Sequence, residues 1–76
     1  DFAEYAMLAL RLAEGLREDR CQARFGCGLP PQMRRAAVPL AAHGLLRMSA
    51  AAITLTENGF LVSNSVIETL LETLDA

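Results

Sequence analysis

Two cysteines, Cys21 and Cys27, and one histidine, His43, are the side chains of this 76-residue chain best suited to bind a metal or act as a nucleophile. Two thiols at this separation are too few for a four-ligand zinc site or a three-cysteine iron–sulphur motif, and they read as free thiols of a reducing cytosol. His43 stands beside Gly44 at an expected helix stop, where an imidazole favours the carbonyl end of the helix, so it reads as a cap. Met7, Met33 and Met48 are soft enough to ligate a metal, yet methionine at helical or strand spacing fills core gaps. No Ser/His/Asp set, phosphate-binding glycine loop or paired-carboxylate site can be drawn. Glu4, Glu14, Glu57, Glu68 and Glu72 fall on the surfaces of amphipathic helices. The segment by itself is expected to carry no catalytic residue and to hold no metal or cofactor.

Arg11 and Asn64 are the polar residues that ask for a partner. Asn64 lies four residues after Phe60 and three before Ile67, which projects its amide onto the apolar face of the last helix. A buried amide left unpaired costs about 1–3 kcal/mol. It must therefore hydrogen-bond the backbone of a neighbouring element or contact a ligand. Arg11, with Glu14 three residues on, reads as a surface pair unless its strip of helix faces a cleft. Arg34 and Arg35 would read DNA if the helix carrying them entered a major groove. Against that, the turn Ala50-Ala51-Ala52 offers no cation, Pro39 interrupts the helix, and the net charge is −2 with a pI near 5.2. Both arginines read as a solvated face or a contact with another domain, and no nucleic-acid partner is expected.

The elements that position these residues follow from period and punctuation. Residues 2–16 are apolar except Glu4, Arg11, Glu14 and Gly15, so a helix over Asp1 to Glu14 has an apolar arc of roughly 200°, against the about 100° one core contact needs. Glu18 to Phe25 is a short second helix stopped by Gly26. Pro30 or Pro31 can sit in the first turn of a third helix, expected over Pro31 to Ala42, with Pro39 forcing a kink or an early end. Leu45 to Thr56 reads as a hairpin, in which Ile53 and Leu55 alternate with Thr54 and Thr56. Thr56 can cap a last helix over Glu57 to Leu74. The expectation is a mainly α, winged-helix-like domain: three helices, a β-hairpin wing and a long C-terminal helix. No run reaches the 18 apolar residues of a membrane span. The chain opens at Asp1 inside a helical pattern and reads as a single C-terminal accessory domain, residues 1–76, cut from a longer cytoplasmic protein.

Four segments in order carry a family resemblance: EYAMLALRLAEGL from Glu4 to Leu16, ARFG from Ala23 to Gly26, HGLLRM from His43 to Met48, and ITLTENGFLVSNSVIETLL from Ile53 to Leu71. The most specific elements are Met-Leu-x-Leu-Arg at Met7 to Arg11 with Gly15, and Leu-Thr-x-x-Gly followed by Ser-Asn-x-Val between Leu55 and Val66. Together they resemble the C-terminal domain of the oxygen-independent coproporphyrinogen III oxidase family, which includes related heme chaperones. The resemblance implies a radical S-adenosylmethionine parent of heme or porphyrin biosynthesis, with a [4Fe–4S] cluster and S-adenosylmethionine in an N-terminal barrel. The C-terminal domain would pack on that barrel near its cleft, beside the porphyrin or heme. Cys21 and Cys27 do not match the three-cysteine motif, so neither cofactor is assigned to this segment.

The parent is accordingly expected to be an oxidoreductase of the coproporphyrinogen dehydrogenase type or a heme chaperone. The alternative is a DNA- or protein-binding winged helix of a regulator. Met7, Leu10, Arg11 and Asn64 are the candidate interdomain or cleft-facing residues. The surplus apolar arc of helix one, with Phe2, Ala3, Met7 and Leu10, predicts docking against the missing barrel or self-association of the segment.

Overall fold

The computed structural model describes residues 1–75. Its order is α1 (Phe2–Ala9), β1 (Leu16–Arg17), α2 (Glu18–Phe25), α3 (Pro31–Ala42), β2 (Leu46–Met48), β3 (Ala52–Leu55), α4 (Glu57–Leu61), α5 (Ser63–Glu72) and a 3-10 turn over Thr73–Asp75. The fold is mainly helical and winged-helix-like, with α2, α3 and the hairpin where the sequence places them.

One core serves the whole domain. Leu10, Leu16, Cys21, Met33, Ile53, Val66 and Leu70 are its largest fully enclosed side chains. They come from five elements and from the residue after α1, so no helix is stable without the others. Each leucine or isoleucine removed from water adds about 1.5–3 kcal/mol.

Three expectations are corrected. The first is α1, which ends at Ala9 rather than Glu14. Past Ala9 the amides of Arg11, Leu12 and Gly15 turn back to the carbonyls three residues earlier, those of Leu8, Ala9 and Leu12. Those turns carry the chain to Gly15, whose φ is +72° and where a Cβ would collide with the carbonyl of Ile53. Only glycine permits that approach. The approach lets Leu16 pair with Ile53 and Arg17 with Ala52, so the hairpin gains a third antiparallel strand in the order β1-β3-β2. A two-stranded wing was expected; the third strand is two residues long, below what alternation can reveal.

The second correction is Leu10. It follows α1 directly and is fully buried, so it belongs to this domain's own core and is not presented to a neighbouring domain.

The third is the last helix, which breaks at Val62 (φ −124°, ψ 33°) into α4 and α5. Thr56 does cap α4 as expected, its Oγ1 accepting from the Gly59 amide at 3.1 Å while donating to Gly44 O at 2.6 Å. Gly59 lies so close to the Leu45 carbonyl that a Cβ there would overlap it. The Leu-Thr-x-x-Gly run thus stitches α4 onto the end of α3, and α5 must restart in a new direction to cover the core with Val66, Ile67 and Leu70.

Pro39 neither ends α3 nor is buried. The helix continues to Ala42, although Pro39 has no N–H to offer the carbonyl of exposed Arg35.

Candidate functional site

A groove of about 490 Å³ runs between α1 and α5, lined by Met7, Arg11, Asn64, Ile67, Glu68, Leu71, Glu72 and Asp75. Three of the four residues singled out from the sequence, Met7, Arg11 and Asn64, meet here, although Asn64 lies more than 50 positions from the other two in the chain. Leu10 does not. Met7 extends from the exposed side of α1 and keeps 39% of its surface accessible, whereas Met33 is fully enclosed.

Arg11 lies just past the end of α1. Its Nη2 donates to Asn64 Oδ1 at 2.9 Å and its Nη1 to Ser63 Oγ at 3.3 Å. Asn64 is exposed, not buried on an apolar face; the break at Val62 cancels the helical spacing from Phe60 on which that expectation rested. Because arginine only donates, the amide must present its oxygen to Arg11, which leaves its NH₂ free. The expected pair between Arg11 and Glu14 is not formed. Glu14 meets Arg20 instead at 3.1 Å, because the early end of α1 turns it away.

Two neutral oxygens therefore hold the Arg11 guanidinium and leave its charge uncompensated. Along the same groove, Glu68, Glu72 and Asp75 have no salt-bridge partner among the described residues. The sequence reading placed both glutamates on a surface but missed their grouping with Arg11. The available signal was two carboxylates four apart on a helix with no cation in its last turn.

A second charged cluster is arranged differently. Glu18, at the start of α2, accepts from the Leu29 amide at 2.9 Å and from Arg34 Nη2 at 3.1 Å. Those bonds, the amide first, hold its carboxyl below the usual range. Arg34 also donates to the carbonyls of Ser49 and Ala50 at 2.8 and 2.9 Å, clamping the tip of the hairpin onto α3. Its role is internal, while Arg35 is exposed.

His43 is the C-cap residue of α3, with Nδ1 3.2 Å from Pro39 O. Cys21 is enclosed in the core, where burial first and the Glu18 charge second push its thiol up, and Cys27 is exposed. A thiol held protonated is a poor ligand and nucleophile. No group of three or more His, Cys, Asp or Glu among the described residues could hold a metal ion, so this donor set does not fit an iron–sulphur cluster.

The pattern of the family described as the HemN C-terminal domain matches residues 2–62. No curated protein and no solved structure matches the chain. The matched stretch includes Met7 and Arg11 and stops just before Asn64, so it takes in the α1 wall of the groove and leaves out α5.

Proposed function

From the premise that this chain belongs to the HemN C-terminal domain family, whose context is heme and porphyrin biosynthesis, we propose that it is the accessory domain of a radical S-adenosylmethionine protein resembling oxygen-independent coproporphyrinogen III oxidase. In this reading the catalytic barrel is an upstream part of the same polypeptide in the cytoplasm, and it supplies the [4Fe–4S] cluster and S-adenosylmethionine. The cysteines of this domain do not fit that cluster, so its part is mechanical. It packs on the barrel near the cleft that takes the porphyrin or heme, and limits the access of water to it.

The family match over residues 2–62 carries the reading. The α1–α5 groove supports it with the kind of surface an interdomain contact uses: Met7 and Arg11 exposed, next to Asn64, with apolar floor and polar rim. Contacts between domains of one chain are commonly of this mixed character.

The test is hydrogen exchange on the 76-residue chain alone and on the longer polypeptide that contains it. Amides of α1 and α5 are expected to exchange more slowly in the longer form, and the upstream sequence is expected to contain a CxxxCxxC motif. Equal exchange in both forms would overturn the docking, and an upstream sequence without that motif would return the regulator reading.

A further inference from the structure

Acidic residues sit where helix dipoles favour them in three helices: Glu4 in the first turn of α1, Glu18 and Asp19 in that of α2, and Glu57 in that of α4. In α5 the arrangement is reversed. Glu68 and Glu72 are four residues apart on one face, a spacing at which like charges repel. Glu72 closes the helix and Asp75 follows it, at the end whose free carbonyls are already partially negative, and the last turn of α5 holds no basic residue to relieve them. Folding alone gives no reason for this strip.

The same groove has the opposite charge at its other end. Arg11, tied to Ser63 and Asn64 by neutral oxygens, has five N–H donors of which two are used. From Asn64 to Glu72 the axis of α5 rises about 12 Å, with Met7, Ile67 and Leu71 forming an apolar floor. One guanidinium against three carboxylates disfavours a simple anion, a nucleic acid or an anionic membrane surface. The guanidinium and the spread of the carboxylates along more than one helical turn equally disfavour a lone cation.

We infer that this groove seats a dipolar amphipathic peptide segment of a protein partner, with an acidic side chain on Arg11 and the Asn64 amide, an apolar residue on the floor, and Lys or Arg along Glu68, Glu72 and Asp75. The fork of Arg11 suits a carboxylate that takes two parallel N–H bonds, and the Asn64 NH₂ adds a third donor beside it. The dipolar pattern fixes the register of the segment, because shifting it by a turn brings like charges together. The inference rests on the proposed function only in giving this face a protein neighbour, and is independent of that neighbour's radical chemistry.

The probe is a fluorescein-labelled, alanine-based helical peptide of about 16 residues, carrying one Glu, a Leu one turn later, and Arg two and three turns later. A second peptide replaces its Glu by Arg. Both are titrated into the 76-residue chain by fluorescence anisotropy, with backbone NMR shifts locating the contact. The dipolar peptide should bind about tenfold more tightly than the all-cationic one, even though the latter is drawn more strongly by net charge. In Arg11→Glu the preference should reverse, and that rescue by the second peptide shows the variant to be folded. Double substitution Glu68→Gln with Glu72→Gln should weaken the dipolar peptide about tenfold. Equal or tighter binding of the all-cationic peptide to the unaltered chain would reduce the groove to a non-specific acidic strip and overturn the inference, as would shifts that bypass Met7, Asn64 and Glu68. Absence of binding by the dipolar peptide up to millimolar concentration would overturn it as well. Failure of the barrel reading would leave every one of these results unchanged.

Discussion

Two charged clusters of this small domain use arginine in opposite ways. Arg34 spends its donors on Glu18, Ser49 and Ala50, all within the domain, and so joins the start of α2, the start of α3 and the tip of the hairpin. Arg11 is held in place by an amide and a hydroxyl, while the nearby carboxylates have no salt-bridge partner among the described residues. In the first the charges are matched within the molecule, which is what stability asks of them. In the second they are kept apart along a groove, which folding does not require and binding can use.

That contrast can be broken or sharpened by substitution. The largest effect separates Met7 on α1 from Leu10 just past its end: Leu10→Ala empties a fully enclosed site and should cost about 2–5 kcal/mol, whereas Met7→Ala, at a side chain 39% exposed, should cost less than about 1 kcal/mol. Chemical denaturation of both variants measures the difference, and equal losses would place Met7 in the core and remove it from the groove account. Next, Arg34→Ala should destabilise by about 1–2 kcal/mol, since three charge-assisted bonds are lost but their acceptors remain near water. Arg11→Ala should change stability by no more than about 0.5 kcal/mol. A larger cost at Arg11 than at Arg34 would invert the comparison.

Acid should weaken the contacts of Glu18 and Asp19. The carboxyls of Glu18 and Asp19 titrate below their usual 4.5 and 3.8, so the folded state binds their protons less readily than the unfolded one. Their stabilising effect is complete above those usual values and is lost as the pH falls through the depressed folded ones. Melting temperature should decline below about pH 4.5, and Glu18→Gln should flatten that decline while lowering the melting temperature at neutral pH. Asp19 is the more exposed of the two and weighs less.

Much of this arrangement could be read from local signals, and the failures share a cause. Gly26 and Pro31 punctuate α2 and α3, and both helices fall on the residues expected. Thr56 caps its helix as expected because its partner is only three residues away. Nothing between Leu10 and Glu14 breaks a helix, so the sequence predicts a longer α1; the chain turns there so that Leu16 can reach Ile53, a pairing of residues far apart in sequence. The last helix was drawn as one piece, although Val62 followed by Ser63, Asn64 and Ser65 is a cluster of weak helix formers that marks a restart. The groove was legible only in part. Met7, Arg11 and Asn64 stood out by type, but their meeting depends on the break at Val62, and the role of Glu68 and Glu72 depends on what Arg11 faces.

If the carboxylates of α5 serve a partner and not the fold, relieving them should make the free chain more stable. The direct measurement is the melting temperature of Glu72→Lys at low ionic strength, compared with the unaltered 76-residue chain. Removing a like-charge pair with Glu68 and placing a cation at the helix end should add about 0.5–1 kcal/mol, a rise of about 2–6 °C for a domain of this size. A melting temperature that falls would show that Glu72 is held by a stabilising contact inside the domain, and the account of the groove as a binding face would be contradicted.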